Sequence, residues 1–156
     1  MHMHRLERIW LIFGFGMLVV FLGVLGVGAF VFSMEPPTSH HHAIDPQKVR
    51  ETPPFDEPGL KQIGDNVYEA NMVAYAFGYD PLDMKVPAGA TIHFNVTSSD
   101  VVHGFQINGT TVNFMVVPGE INQIKYTFDE PGEYLVLCNE YCGIGHEYMF
   151  TKIIVE

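Results

Sequence analysis

The feature that most constrains this chain is an apolar run from Ile9 to Phe32 that contains no charged side chain. A run of this length can cross the hydrocarbon core of a bilayer as an α-helix. A cleavable signal peptide has a shorter apolar region followed by a small-residue cleavage site, and residues 28–34 offer a poor one. We therefore expect residues 1–33 to form an uncleaved transmembrane anchor. The length of 156 residues leaves room for one compact domain besides it.

Charged residues on either side of this run indicate its orientation. Arg5 and Arg8 precede it, whereas Glu35 is the first charged residue after it and Lys48 is the next basic one. Positively charged flanks stay on the cytoplasmic side of a membrane. The sequence therefore predicts a single-pass protein of the cell membrane, with a cytoplasmic N-terminus and a periplasmic or extracellular C-terminal domain.

Acidic residues dominate the part of the chain beyond the apolar run. Of 18 acidic and 8 basic residues, only Glu7, Arg5 and Arg8 precede that part, which leaves 17 acids against six bases. An acidic surface accelerates association with a basic partner at low salt. We expect a positively charged soluble partner, although generic solubility explains the same excess.

Residues 34–62 are rich in proline and contain few large apolar side chains. Proline-rich segments act as semi-rigid spacers. We therefore interpret this segment as a linker between the anchor and the domain at 63–156. The prolines are Pro36, Pro37, Pro46, Pro53, Pro54 and Pro58.

Short alternating runs separated by turn signals follow in residues 63–156, a pattern typical of an all-β sandwich or barrel. Ile92, Phe94 and Val96 fall on one face of a predicted strand, with polar residues between them. The turn signals are Asn108-Gly109 and Pro118-Gly119. One face of each strand should therefore be buried in a common core.

Two cysteines, a histidine and a methionine lie close together near the C-terminus. They are Cys138, Cys142, His146 and Met149, and His103 supplies a second imidazole upstream. Thiolate, thioether and imidazole ligands favour copper, and this set exceeds the one Cys and two His of a blue-copper site. Two copper ions that share both sulfurs fit the set. A disulfide and a zinc site are the alternatives.

The segment Cys-Asn-Glu-Tyr-Cys-Gly-Ile-Gly-His-Glu-Tyr-Met closely resembles the metal-binding loop of cytochrome c oxidase subunit II. The resemblance includes Tyr-Ala-Phe-Gly-Tyr-Asp-Pro at 75–81, Val-Pro-Ala-Gly at 86–89 and Pro-Gly-Glu-Tyr at 131–134. With its single N-terminal apolar run, the chain is similar to subunit II of the ba3-type branch of the haem-copper oxidases. The family implies a cupredoxin-like Greek-key β-sandwich, with His103 ending one strand and the loop joining the last two.

The resemblance also implies a binuclear copper A centre. Cys138 and Cys142 would bridge both copper ions in such a centre. His103 and Met149 would complete the coordination of one ion, and His146 with the backbone carbonyl of Glu140 that of the other. In the family pattern, the side chain of Glu140 reaches a magnesium ion at the contact with subunit I.

The function implied is that of subunit II of a terminal haem-copper cytochrome c oxidase. Electrons would come from a soluble cytochrome c or small copper protein and pass to haem in subunit I. Oxygen would be reduced to water there, coupled to proton pumping. The chain would thus be the electron-accepting subunit of an enzyme and would hold no catalytic residue of its own.

The same resemblance suggests further roles outside the ligand set. Electrons would arrive through Tyr75, Phe77 and Tyr79, because Trp10, the only tryptophan, belongs to the apolar run. Ordinary core packing is the alternative for these aromatics. Glu7 would lie near a proton-uptake path of the partner subunit, or would simply be a solvated acid beside Arg8.

Two other functions fit the same residues. A copper A subunit of a nitric oxide reductase would share every ligand and differ only in its partner. A membrane-tethered copper carrier for oxidase assembly would instead bind copper(I) and exchange it readily.

Overall fold

The structure is a computed structural model that describes residues 4–32, the backbone of 38–40, and residues 44–156. It contains two compact units, Met1–Glu35 and Pro36–Glu156. The predicted boundary between anchor and linker, at residues 33 and 34, lies outside the described residues.

The described residues of the N-terminal unit form one helix, α1 (Arg5–Phe30). His4 caps it, since its Nδ1 accepts a hydrogen bond from the Leu6 N–H. No side chain of α1 is buried, and the helix is long and apolar enough to cross a membrane. A helix that is apolar on all sides requires apolar surroundings, in agreement with the predicted N-terminal apolar helix.

Where the structure describes it, the second unit forms two β-sheets. The first comprises β1 (Thr38–His40), β2 (Gly59–Gly64), β3 (Val67–Tyr75), β4 (Gly78–Asp80), β6 (Thr91–Ser98) and β9 (Ile121–Thr127). The second comprises β5 (Asp83–Val86), β7 (His103–Ile107), β8 (Asn113–Val116), β10 (Gly132–Leu137) and β11 (Phe150–Val155). Short 3-10 helices cover Pro46–Glu51 and His146–Tyr148.

Neighbouring strands are often distant in sequence. The first sheet has the order β1-β9-β6-β3-β2 with β4 paired to β3, and the second has the order β5-β11-β10-β7-β8. The β3–β6 and β5–β11 pairs are parallel and the other strand pairs are antiparallel. This arrangement confirms the predicted all-β sandwich.

The core lies between the two sheets, and the predicted alternation holds. Ile92, Phe94 and Val96 of β6 are fully buried. Phe105 of β7 meets Phe94 with ring centroids 5.8 Å apart and Phe114 at 5.2 Å. Because facing residues of both sheets interdigitate in this way, the sandwich forms a rigid support for the residues at its ends.

The outer face of the first sheet is also covered. Val49 and Phe55, both from the proline-rich segment, are buried against Val73 of β3. Beside them, the Asn95 amide donates to Asn71 at 2.8 Å. Two apolar side chains of the proline-rich segment therefore pack on the outer face of this sheet.

Candidate metal centre

His103 is the first residue of β7 and is fully buried. Its Nε2 lies 2.8 Å from Oδ1 of Asp100, whereas its Nδ1 is buried and has no hydrogen-bond partner among the described residues. The prediction that His103 ends a strand is wrong, because the chain turns sharply at Asp100 just before it. An unsatisfied buried nitrogen is costly unless a ligand occupies it, so Nδ1 is the atom available to a metal.

Asp100 holds this turn and the imidazole together. Its Oδ1 also accepts the Val101 N–H at 2.7 Å, and its Oδ2 accepts the Ala76 N–H at 2.7 Å. Burial opposes ionisation of this carboxyl, but the hydrogen bonds from His103 and from the two backbone N–H groups outweigh it and lower its pKa. A carboxylate beside Nε2 favours the imidazole tautomer that donates from Nε2, which is the tautomer whose Nδ1 can bind a metal.

The loop between β10 and β11 brings the remaining candidates together. The Cys142 Sγ lies 3.8 Å from the Cys138 Sγ, 3.5 Å from the His146 Nδ1 and 3.6 Å from the Met149 Sδ. The Cys138 Sγ lies 3.1 Å from the carbonyl oxygen of Glu140. His103 joins them, since its ligand atom and both sulfurs lie within 4.8 Å of one another. All six predicted residues thus meet in one cluster.

The donor set fits a soft metal. Both cysteines are free and buried. Metal–thiolate bonds are roughly 2.3 Å long, so one ion can reach both sulfurs across the 3.8 Å between them. Burial, together with the neighbouring Cys138, raises the pKa of Cys142 to about 11. Without a cation this thiol stays protonated at neutral pH, and a bound metal would hold it as the thiolate.

Gly104 connects the two ligand-bearing segments. Its N–H donates to the Cys138 Sγ at 3.3 Å, and a Cβ at this position would lie 2.0 Å from Oδ1 of Asn139. The loop can approach β7 closely only because residue 104 lacks a side chain. Asn139 in turn donates to Asn113 of β8 at 2.9 Å.

The three aromatic residues proposed to receive electrons differ in their placement. Phe77 is 36% exposed, and Tyr75 is half-buried with the Arg50 guanidinium 5.7 Å from its ring centroid. Tyr79 is fully buried and donates its hydroxyl to the Gly104 carbonyl. Burial and the neighbouring Cys138 raise the pKa of Tyr79. Tyr79 therefore lies in the core beneath the cluster and not on a surface that a donor could touch.

The ligand loop and the strand residues next to it in sequence or by pairing expose several apolar side chains. Tyr141 is 77% exposed and Ile144 is 90% exposed. A group of exposed apolar side chains marks a surface that contacts another molecule. Its other members are Val101, Val102, Met115, Tyr148 and Phe150.

Sequence reasoning identified the six clustered residues but missed Asp100, Gly104 and Asn139. Asp100 could have been found, since Asp side chains often form turns by hydrogen bonding to the backbone that follows them. Gly104 and Asn139 left no such signal, because their role depends on two segments that meet only in the folded protein. Glu140 is half-buried, and Glu7 lies in the first turn of α1 within the other unit.

A two-sheet sandwich with a buried histidine and two free cysteines at one end defines a copper-binding domain of cupredoxin type. Residues 75–156 match the family model of the cytochrome c oxidase subunit II periplasmic domain. Cytochrome c oxidase subunit 2 of Thermus thermophilus is 41% identical over 153 residues, which is 96% of this chain and 91% of that protein. The chain belongs to the cytochrome c oxidase subunit II family, and the Thermus relatives support the ba3-type branch.

Solved structures agree with this assignment. A chain of a heme-copper terminal oxidase dimer, determined by cryo-EM, superposes with a TM-score of 0.82 at 32% identity, over 97% of this chain and 100% of that chain. The periplasmic domain of subunit II of cytochrome oxidase from Bradyrhizobium japonicum superposes with a TM-score of 0.53 at 21% identity, over 56% of this chain and 83% of that domain. The second likeness concerns the fold, and it supports the predicted cupredoxin-like sandwich.

Proposed function

We propose that this chain is the electron-accepting subunit of a terminal haem-copper cytochrome c oxidase and holds a binuclear copper A centre. The observation that carries the proposal is the convergence of the ligand atoms of His103, Cys138 and Cys142 within 4.8 Å in a buried site. Three further candidates adjoin them: Glu140 through its carbonyl, His146 and Met149.

Cys138 and Cys142 would hold a two-copper centre, which would supply one-electron transfer with little change in bond lengths. The protein's part is to fix the ligands and exclude water. His103 is held by a strand and by Asp100, while Cys138, Cys142 and Met149 are all buried. A preorganised, dry set of ligands has little rearrangement left to make.

The test is electron paramagnetic resonance of the full chain, solubilised in detergent and loaded with copper. We expect hyperfine structure from one electron shared by two copper nuclei. His103→Ala should abolish it, whereas His93→Ala should not, because His93 is exposed on β6. A single-copper spectrum, or rapidly exchanging copper(I) as expected of a copper carrier, would contradict the proposal.

The partner in this proposal is a membrane subunit I that contains the haems, reduces oxygen to water and pumps protons. Full-length similarity to a chain of a heme-copper terminal oxidase supports this assembly. Glu140 would contribute a carboxylate to magnesium at the contact between the subunits, since magnesium prefers oxygen ligands. Glu7 would lie near proton uptake at the cytoplasmic end of α1, and Glu7→Gln in the complex should then slow proton uptake.

The proposed topology is one pass through the cell membrane, with the copper domain periplasmic or extracellular. Arg5 and Arg8 at the start of α1 support a cytoplasmic N-terminus. We retain residues 1–33 as the anchor and 63–156 as the copper domain, with 34–62 connecting them. Protease added outside intact spheroplasts should cleave the copper domain, and its complete protection would contradict this orientation.

The proposed electron donor is a basic soluble cytochrome c or a small copper protein. The acidic excess beyond α1 would steer it, and the exposed apolar group around Tyr141 and Ile144 would provide close contact. Reduction by a basic cytochrome c should slow as ionic strength rises. Rates independent of salt, and unchanged in Ile144→Ser, would contradict this choice of donor.

A further inference from the structure

The turn between β3 and β4 touches the ligand loop through one aromatic ring. A Cβ at Gly145 would lie 2.5 Å from Cδ2 and 2.8 Å from Cγ of Phe77, and one at Gly143 would lie 2.9 Å from its Cε1. These separations are far shorter than ordinary van der Waals contact. The ring of Phe77 therefore lies directly on the backbone between Cys142 and His146.

Residue 145 must be a glycine because the Phe77 ring occupies the space of a side chain, and not because its backbone conformation demands glycine. Gly145 has φ −104° and ψ 13°, a conformation that residues with side chains also adopt. Gly143, in contrast, has φ +131°, where a side chain is strained whatever surrounds it. Gly145 is thus the position at which the effect of the ring can be separated from that of backbone conformation.

The same turn also holds the other ligand-bearing segment. The Ala76 N–H donates to Oδ2 of Asp100, whose Oδ1 holds the imidazole of His103. The turn itself is anchored in the first sheet, since Tyr75 pairs with Gly78 across β3 and β4. The ligands, however, belong to the second sheet and its loop. One short turn thus ties the first sheet to both halves of the metal cluster.

We propose that Phe77 is a positioning residue for the metal-binding loop, and that its ring, seated in the space left by Gly145, fixes the Cys142–His146 segment relative to His103. The ring is mostly covered, with 36% of the residue exposed. This assigns Phe77 a role beyond contact with an electron donor. The measurement on the copper-loaded chain rests on the proposed function. The measurement on the metal-free chain does not depend on that function.

The first test uses the metal-free full chain in detergent and measures alkylation of Cys142 by iodoacetamide. Gly145→Ala and Phe77→Ala should each accelerate alkylation by roughly five- to thirty-fold, because a loosened loop exposes the buried thiol more often. Gly132→Ala is the matched control, since a Cβ there meets nothing closer than 3.8 Å.

The decisive comparison is the double variant. The three atoms nearest to a Cβ at 145 all belong to the Phe77 ring, so Phe77→Ala/Gly145→Ala should behave like Phe77→Ala alone, and the two effects should not add. After copper loading, Gly145→Ala should alter the hyperfine splitting in the presence of Phe77 and have no further effect in its absence. An undiminished effect of Gly145→Ala in the Phe77→Ala background, or wild-type alkylation in both single variants, would overturn the inference. A wild-type chain without a two-copper spectrum would instead overturn the proposed function, and the alkylation result would still decide the role of Phe77.

Discussion

His103 and the Cys138–Met149 loop contribute to the same cluster but are held in different ways. His103 belongs to β7, pairs with Val116 of β8 and has its imidazole fixed by Asp100. Within the loop, backbone hydrogen bonds run from the His146 N–H to Gly143 and from the Tyr148 N–H to Gly145. The loop also exposes Tyr141 and Ile144. The strand-borne ligand is thus held by the pairing of the sheet, whereas the loop ligands are held by hydrogen bonds within the loop and by packing against neighbouring segments.

The largest expected effect comes from the loop. Cys142→Ser replaces the sulfur that adjoins Cys138, His146 and Met149 with a hard oxygen. Because copper prefers soft ligands, the two-copper hyperfine pattern should disappear from the resonance spectrum. Met115→Leu, which removes an exposed sulfur on β8, should leave the pattern intact. A persistent pattern in Cys142→Ser would mean that this sulfur does not hold the metals.

A smaller effect is expected on the strand side. Asp100→Asn keeps the shape of the side chain but removes the charge that holds the His103 Nε2–H. Loss of such a supporting partner typically costs about 10- to 100-fold in metal affinity, and we expect a decrease of this order in competition with a copper chelator. Asp83→Asn, at an exposed position on β5, is the control. Unchanged affinity would show that the sheet alone orients the imidazole.

The smallest expected effect concerns how the stability of the metal-free chain depends on pH. The loop thiol and the carboxylate beside the strand should respond at opposite ends of the pH range. The raised pKa of Cys142 means that the fold favours the neutral thiol. The stability associated with it should be present below about pH 9 and be lost as pH rises towards about 11. The lowered pKa of Asp100 has the opposite consequence, since its contribution is present above its ordinary pKa and is lost in acid.

Urea unfolding, monitored by circular dichroism at acid, neutral and alkaline pH, measures how the free energy of unfolding changes with pH. Between neutral and alkaline pH, wild type should lose more stability than Cys142→Ser, whereas in acid Asp100→Asn should show the flatter profile. Parallel alkaline profiles for wild type and Cys142→Ser would contradict the assignment of the alkaline effect to this thiol.

Much of the sandwich could be predicted because its strands repeat with a period of two. Ile92, Phe94 and Val96 face the core as predicted, and glycines with positive φ occupy both predicted turns, at 109 and 119. The burial of Val49 and Phe55 could not be predicted in the same way. These residues are isolated among prolines and polar residues, so no periodicity marks the face that they cover.

The candidate site was predicted from soft donor residue types that favour copper and from the resemblance of their segment to the metal-binding loop of the family. The supporting contacts were not, because they join segments far apart in sequence. Asp100 contacts Ala76, and Phe77 contacts Gly145. Tyr79 lies in the same short segment as Tyr75 and Phe77 and is aromatic like them, but its position on β4 directs its side chain into the core. Local sequence cannot distinguish an aromatic residue beneath the cluster from one at its rim.

The central claim is that two sulfurs hold two copper ions in this chain. Metal analysis of the full chain, solubilised in detergent and loaded with copper, tests it most directly, combined with a count of free thiols after copper is removed under anaerobic conditions. The account predicts two copper ions per chain and two free thiols, from Cys138 and Cys142. One copper ion per chain, or a disulfide between these cysteines, would contradict it.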